Sequence, residues 1–201
     1  MLKIIYLYLN KWDKVPVAVK RFILRAAAIL IAWKILYLAF LLPHRVLDNP
    51  ISYAVATGTT WLLNTSTHSS AYYDKSETGN IPTDNGFAPA TLENIYFHGR
   101  NIVSIEDGCN GLELIVLYIG FIVCMPAATK RKVNFIITGT ILIYVVNVIR
   151  CAGVAYIILY YPKYADFAHH YVFTFIVYGL IIALWLIYSK KLDPLYDQAE
   201  Q

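Results

Sequence analysis

Residues 111–159 read GLELIVLYIGFIVCMPAATKRKVNFIITGTILIYVVNVIRCAGVAYIIL. Two apolar runs, 111–128 and 133–159, flank a tight turn holding Lys130, Arg131 and Lys132. A bilayer crossing needs about 20 predominantly apolar residues, so this stretch reads as a helical hairpin through a membrane. Two further spans follow outward from it, at 21–42 and 169–189. The composition agrees: of 201 residues 58% are hydrophobic and only 15% charged, with a mean hydropathy of +0.52. A soluble domain would carry about 25% charged residues. Disordered chains and disulfide scaffolds are excluded as well, the latter because three cysteines make no framework. The surplus of Lys and Arg over Asp and Glu, 17 against 13, is too thin for a nucleic-acid footprint. The expected fold class is therefore an all-α polytopic membrane protein.

Orientation follows from where the short flanking segments keep their positive charge. Lys3, Lys11, Lys14, Lys20, Arg21 and Arg25 stand before or just inside the first span, the Lys-Arg-Lys turn joins two spans, and Lys190 and Lys191 follow the last. All three groups read as cytoplasmic, and they agree with four spans, both termini inside and a loop at 43–110 outside. That loop carries Arg45, Lys75 and Arg100 against Asp48, Asp74, Glu77, Asp84, Glu93, Glu106 and Asp107. Within it, residues 51–63 are apolar in places but rich in Thr and Gly, which predicts an interfacial or re-entrant helix. Residues 74–90 hold Gly79, Pro82, Asp84, Asn85, Gly86 and Pro89, a composition that predicts an irregular connector. Residues 94–97 and 101–105 are β-prone runs around His98-Gly99-Arg100 and predict a short hairpin. Segment 1–20 is cytoplasmic with an amphipathic, surface-lying stretch at Met1–Trp12, and 190–201 is a cytoplasmic tail. The first span lacks a small-residue cleavage site, so it is expected to stay as an anchor.

Helix arithmetic brings remote residues to one depth. At about 1.5 Å per residue, Arg150 lies roughly 26 Å along the helix that leaves the cytoplasmic turn at Val133, near the outer boundary of the hydrocarbon core. Cys109 precedes the outer end of one span, and His169 and His170 open the outer end of another. A thiol, a guanidinium and an imidazole at a common level point to thiol-based acyl transfer at the outer interface. Cys109 sits before a helix N-terminus, where the dipole favours a thiolate and Asn110 and Gly111 open the turn. An arginine within a span is costly and lacks an acidic neighbour one turn away, and Asn147, one turn earlier, is able to orient it. Either histidine is able to serve as base and acid, because periodicity does not choose between them. Asn110 to Glu113 has the form of a capping box. Cys124, in mid-span, reads as packing. H-x-x-x-H, H-E-x-x-H and Cys-x-x-Cys patterns are absent, so neither a metal nor any other cofactor is implied.

The hairpin running into Gly108-Cys109-Asn110-Gly111-Leu112, the intramembrane Asn147-Val-Ile-Arg150, and His170 with Thr174 and Tyr178 after it resemble the exosortase/archaeosortase family over roughly residues 90–188. The resemblance implies a membrane cysteine transpeptidase or protease of the cytoplasmic membrane, its site facing outward. Its partners would be exported proteins with a C-terminal hydrophobic sorting helix, membrane lipids, and a glycan or lipid amine as acceptor. It assigns the nucleophile to Cys109, the arginine to Arg150 and the histidine to His170, the last from the spacing to Thr174 and Tyr178. Asn110 and Thr174 depart from the family's more usual Ser and Gly. Two other readings are a thiol oxidoreductase pairing Cys109 with Cys151, and a non-enzymatic subunit of an export or polysaccharide assembly system.

Overall fold

A computed structural model of the chain describes residues 16–83, 86–125 and 127–190. The amphipathic stretch expected at Met1–Trp12 and the tail beyond Lys190 lie outside these residues. Helix α1 (Val17–Leu36) continues through a π-helical turn (Tyr37–Leu41) into Leu42–His44. Arg45 then takes a left-handed conformation (φ 49°), and the chain turns into α2 (Asp48–Thr67). Strands β1 (Tyr72–Thr83), β2 (Gly86–Phe97) and β3 (Arg100–Ile105) form an antiparallel sheet in that order. A 3-10 turn (Asp107–Cys109) leads into α3 (Leu112–Cys124), followed by α4 (Thr129–Tyr160). The chain closes through short turns and a π-helical segment (Ala168–Phe173) into α5 (Thr174–Lys190).

Three helical stretches are long and apolar enough to cross a membrane, Val19–His44, Thr129–Tyr160 and Pro162–Lys190. The protein is a polytopic helical membrane protein. The second expected span, 111–128, contracts to α3, whose 13 residues reach about 20 Å. Its end has a local cause: Met125 precedes Pro126, and a residue before proline is pushed into the extended region it adopts here (ψ 140°). The other three expected spans correspond to helices of spanning length.

The membrane half of the molecule is held by α3, α4 and α5 around Tyr118, Ile122, Ile143, Ile181 and Tyr188. Tyr118 donates from its hydroxyl to the Phe135 carbonyl (2.7 Å), and its ring lies against Gly139, where any Cβ would collide with it. At the other end, α2 packs between the sheet and α4, joining Val55, Ala56, Ile95, Ile105 and Cys151. Asn64 clamps β1 to α2 by donating to the Tyr72 carbonyl (2.8 Å) and accepting the Tyr72 N–H (3.1 Å). Residues 51–63 thus belong to a longer helix that is fixed to the sheet through Val55, Thr60 and Leu63 while Tyr53 and Trp61 stay exposed.

The expected hairpin at 94–105 is present. His98 (φ 49°) and Gly99 (φ 79°) form its two-residue turn, the geometry that matches strand twist. Residues 74–90 differ from expectation, because β1 pairs with β2 continuously from Tyr72↔Phe97 to Thr83↔Gly86. Ladder pairing overrides the turn-rich composition here for a positional reason. β1 is an edge strand, and β3 reaches only as far as Glu93, so residues 86–92 are also paired on one side alone. A proline there has a free side on which its missing N–H costs no ladder bond.

Candidate active site

The loop that carries Cys109 is fixed from below and from the side. Its 3-10 turn closes with the Cys109 N–H donating to the Glu106 carbonyl (2.8 Å). Arg45 grips Asp107 through two guanidinium nitrogens (2.6 and 3.0 Å), a largely buried fork that ties the turn to the α1–α2 corner. Asn110 is buried and bonds in three directions. Its amide donates to Asp48 Oδ1 (3.2 Å) and Ser52 Oγ (3.3 Å), and its Oδ1 accepts the Leu112 N–H (2.9 Å). Asp48 also accepts from Tyr37 Oη (3.1 Å), so four residues from three elements converge behind the cysteine.

Asn147 secures the same loop from α4. Its Nδ2 donates to the Cys109 carbonyl (2.9 Å), and its Oδ1 is buried without a hydrogen-bond partner. Gly111 makes this approach possible. Its φ is +85°, and a Cβ there would sit 3.2 Å from the Asn147 amide. The expected capping box does not form: the N-cap is Gly111, Asn110 Oδ1 accepts the N–H of Leu112, the first residue of α3, and Glu113 pairs with Lys34 Nζ of α1 (2.8 Å).

Cys109 Sγ lies 3.7 Å from His169 Nε2 and 4.0 Å from Arg150 Nη2, and Arg150 Nη2 lies 3.4 Å from the same His169 nitrogen. Three side chains from a loop, α4 and the π-helical segment therefore meet at one point. His170 is not among them. Its side chain is exposed and pairs with Asp166 (3.1 Å). The reason is local: the segment Ala168–Phe173 is π-helical, and the Thr174 hydroxyl donates to the His169 carbonyl (3.2 Å), five residues back. The family's motif spacing aligns Thr174 with His170, four residues back. The extra residue in the wide turn moves His169 to the cysteine instead.

Because Arg150 has only donors, its approach to His169 Nε2 requires a lone pair there. With Nδ1 carrying the hydrogen, His169 Nε2 presents its lone pair to Arg150 and to the Cys109 thiol. Burial pushes the Cys109 thiol above the usual thiol range, and the neighbouring Arg150 charge opposes that rise. At the start of α3 the Leu112 amide is already bonded to Asn110 Oδ1.

Two cavities adjoin this point. A small chamber of about 20 Å³ is lined by Val103, Ser104 and Ile105 of β3 together with Cys109, Arg150 and His169. On the other side of Arg150 opens a groove of about 480 Å³ between α1, α3 and α5, walled by apolar residues including Leu30, Trp33, Leu117 and Val177. Cys151 is buried with its thiol directed at the Cys109 carbonyl (3.9 Å), and all three cysteines are free. Cys124 is the last residue of α3 and is buried. Among the described residues no cluster of His, Cys, Asp and Glu has the form of a metal site.

Arg45, Asp48, Ser52 and Tyr37 carry no sequence signal for this site. They lie about 60 to 70 residues before Cys109, and only a lone acid within a stretch of weak hydropathy marks Asp48 out. Comparison with known proteins gives no match among curated proteins and none among solved structures. A family model described as Transmembrane exosortase (Exosortase_EpsH) matches residues 17–188. That range covers every helix and strand described above except the last residues of α5, and so the chain belongs to the transmembrane exosortase family.

Proposed function

We propose that the protein is a membrane-embedded cysteine transpeptidase or protease that removes a C-terminal sorting signal from exported proteins, at the outer face of the cytoplasmic membrane. The observation that carries this reading is the meeting of Cys109 Sγ, His169 Nε2 and Arg150 Nη2 within 4.0 Å. His169 takes the role that the motif spacing gave to His170. The outward orientation rests on the Lys and Arg bias of the flanking segments.

In this mechanism the substrate's hydrophobic tail helix lies in the groove between α1, α3 and α5, which brings the peptide bond ahead of it to Arg150. His169 Nε2 takes the thiol proton as Cys109 Sγ bonds to the carbonyl carbon. The developing oxyanion faces the Arg150 guanidinium, whose fixed charge needs no reorganisation at that moment. Collapse of the tetrahedral intermediate breaks the carbon–nitrogen bond, and His169 returns its proton to the leaving amine. The thioester is then resolved by water, or by an amine of a surface glycan or lipid, and the thiol is regenerated. Asn110, Gly111 and Asn147 act as positioning residues that hold the Cys109 loop.

The test is the conversion of a co-expressed exported protein that bears a hydrophobic C-terminal helix and a basic tail. Cys109→Ala is expected to leave the precursor uncleaved while the enzyme accumulates in membranes at wild-type level; continued cleavage by this variant refutes the reading. Cys151→Ala is expected to retain cleavage, whereas an oxidoreductase using the Cys109 and Cys151 pair loses its activity with either cysteine. A non-enzymatic subunit predicts loss of assembly for Cys109→Ser with no chemistry to lose.

A further inference from the structure

Glycine is the poorest helix former after proline, so a glycine kept inside a helix has a packing reason. Helix α4 holds two, and both seat aromatic rings: Gly139 receives Tyr118 in the core, and Gly153 receives Phe173. A Cβ at Gly153 would stand 2.5 Å from Phe173 Cζ and 2.8 Å from Cε1, so the ring occupies the space a side chain there would need. This slot lies one turn beyond Arg150, and the next residue, Val154, lines the chamber shared by Cys109, Arg150 and His169.

Phe173 ends the π-helical segment Ala168–Phe173, which also carries His169. Within that segment Ala168 is buried and His169 and Phe173 are half-buried, whereas His170, Tyr171 and Val172 are exposed. The pitch of the turn accounts for this division. At 3.6 residues per turn, His169 and His170 would stand about 40° and 60° to either side of Phe173, so seating the ring would favour neither strongly. At roughly 4.4 residues per turn, His169 stays about 30° from Phe173 while His170 swings about 115° away. Wide turns of this kind are rare, and this one is held by two contacts. The Thr174 hydroxyl donates to the His169 carbonyl (3.2 Å), and the Phe173 ring sits against Gly153.

From this juxtaposition we infer that Gly153 is a positioning residue for His169: its missing side chain seats Phe173, and the seated ring holds the wide turn in the register that brings His169 Nε2 to the Cys109 thiol. The inference rests on the reading of Cys109 as nucleophile and His169 as its base, and adds what selects that imidazole. Gly153 touches no reacting group and acts through one ring and one turn of backbone. A methyl group at this position has room only if the ring moves, and the ring is tied by the backbone to His169, four residues earlier. Displacing the ring therefore draws the imidazole away from the thiol, while Asn147, Asn110 and Arg45 still hold the Cys109 loop.

The test uses the full-length chain in native membranes and two readouts. One is conversion of a co-expressed sorting-signal precursor. The other is the rate of Cys109 alkylation by iodoacetamide at neutral pH, read by mass spectrometry; sulfur bonds to the reagent's methylene carbon, iodide leaves, and the thiol proton passes to His169 or to water. Gly153→Ala is expected to slow conversion at least about tenfold, part of the roughly 10²–10⁴-fold that a positioned base supplies, and to bring alkylation down to the rate of His169→Gln. Adding Phe173→Leu, whose smaller side chain leaves room for the methyl group, is expected to restore conversion to within about threefold of wild type. In the His169→Gln background no imidazole is left to position, so there Gly153→Ala is expected to change alkylation by less than about twofold. Phe173→Ala empties the same slot without adding an atom, and it is expected to reproduce the slowing with His169 and its absence without His169 even where Gly153→Ala does not accumulate. Wild-type conversion by Gly153→Ala, no recovery on adding Phe173→Leu, or equal slowing of alkylation in both backgrounds each overturn the positioning role. Conversion and alkylation that are both unchanged by His169→Gln alone overturn the base assignment instead.

Discussion

The two adjacent histidines offer the sharpest test of the site, because sequence spacing and tertiary structure choose different ones. His169→Ala removes the group 3.7 Å from Cys109 Sγ, and the thiol loses its only imidazole neighbour. A positioned general base or acid contributes about 10²–10⁴-fold, so processing is expected to fall by that factor, roughly 3–5 kcal/mol of barrier at 1.36 kcal/mol per tenfold. His170→Ala removes an exposed partner of Asp166, and the side chains of that pair are 62% and 91% exposed. Exposed pairs are worth about 0–1 kcal/mol of stability, and no contact to the cysteine is lost, so processing is expected to stay within about threefold of wild type. The assay is the fraction of a co-expressed sorting-signal precursor converted over time, with each variant's membrane level matched by immunoblot. His169→Gln is a useful companion, since it keeps a polar group of similar reach without the basicity. A variant pattern in which His170→Ala is inactive and His169→Ala is active would refute both the π-helical register and the role assigned to His169.

Three further outcomes follow from the same geometry. The Cys109 thiol is held up by burial and drawn down by Arg150, so its alkylation by iodoacetamide is expected to rise with pH and reach its midpoint above the ordinary thiol range; Arg150→Ala moves the midpoint higher still, and a downward move contradicts the charge assignment. Gly111→Ala forces a side chain into φ +85° and against the Asn147 amide; it is expected to cost about 1–2 kcal/mol and to slow processing, read as a lowered Tm together with a slower precursor chase. Arg45→Ala removes the fork on Asp107 and is expected to cost about 1.5–3 kcal/mol in the same thermal measurement, with Cys109 more readily labelled by a small maleimide as its turn loosens.

The membrane class, the presence of long apolar helices and the β2–β3 hairpin were legible in the sequence, as were Cys109, Arg150 and a histidine of the 169–170 pair as the residues that meet. Each depends on local quantities: apolar run length, rise per residue, and a two-residue turn needing positive φ at His98 and Gly99. The match of the family model over residues 17–188 agrees with the family resemblance drawn from the Gly108–Leu112, Asn147–Arg150 and last-span motifs.

What the sequence left open, tertiary structure decided, and the reasons are physical. Periodicity did not choose between the histidines and the motif spacing pointed to His170, whereas in the π-helical segment Ala168–Phe173 it is His169 that faces the cysteine. β1 arises from pairing with β2, a non-local gain that outweighs Gly79, Pro82 and Pro89 in composition. The brace behind Cys109 ties Asp107 and Asn110 to Arg45, Asp48 and Ser52, more than 55 positions earlier in the chain, with Tyr37 bonded to Asp48 in turn. Local propensity carries no information about such contacts, because they exist only once α1, α2 and the sheet have packed. The sequence by itself determined a membrane protein with a thiol, a guanidinium and an imidazole at one level; only the packing of α2, the sheet and the π-turn decided which imidazole it is and how the thiol is held.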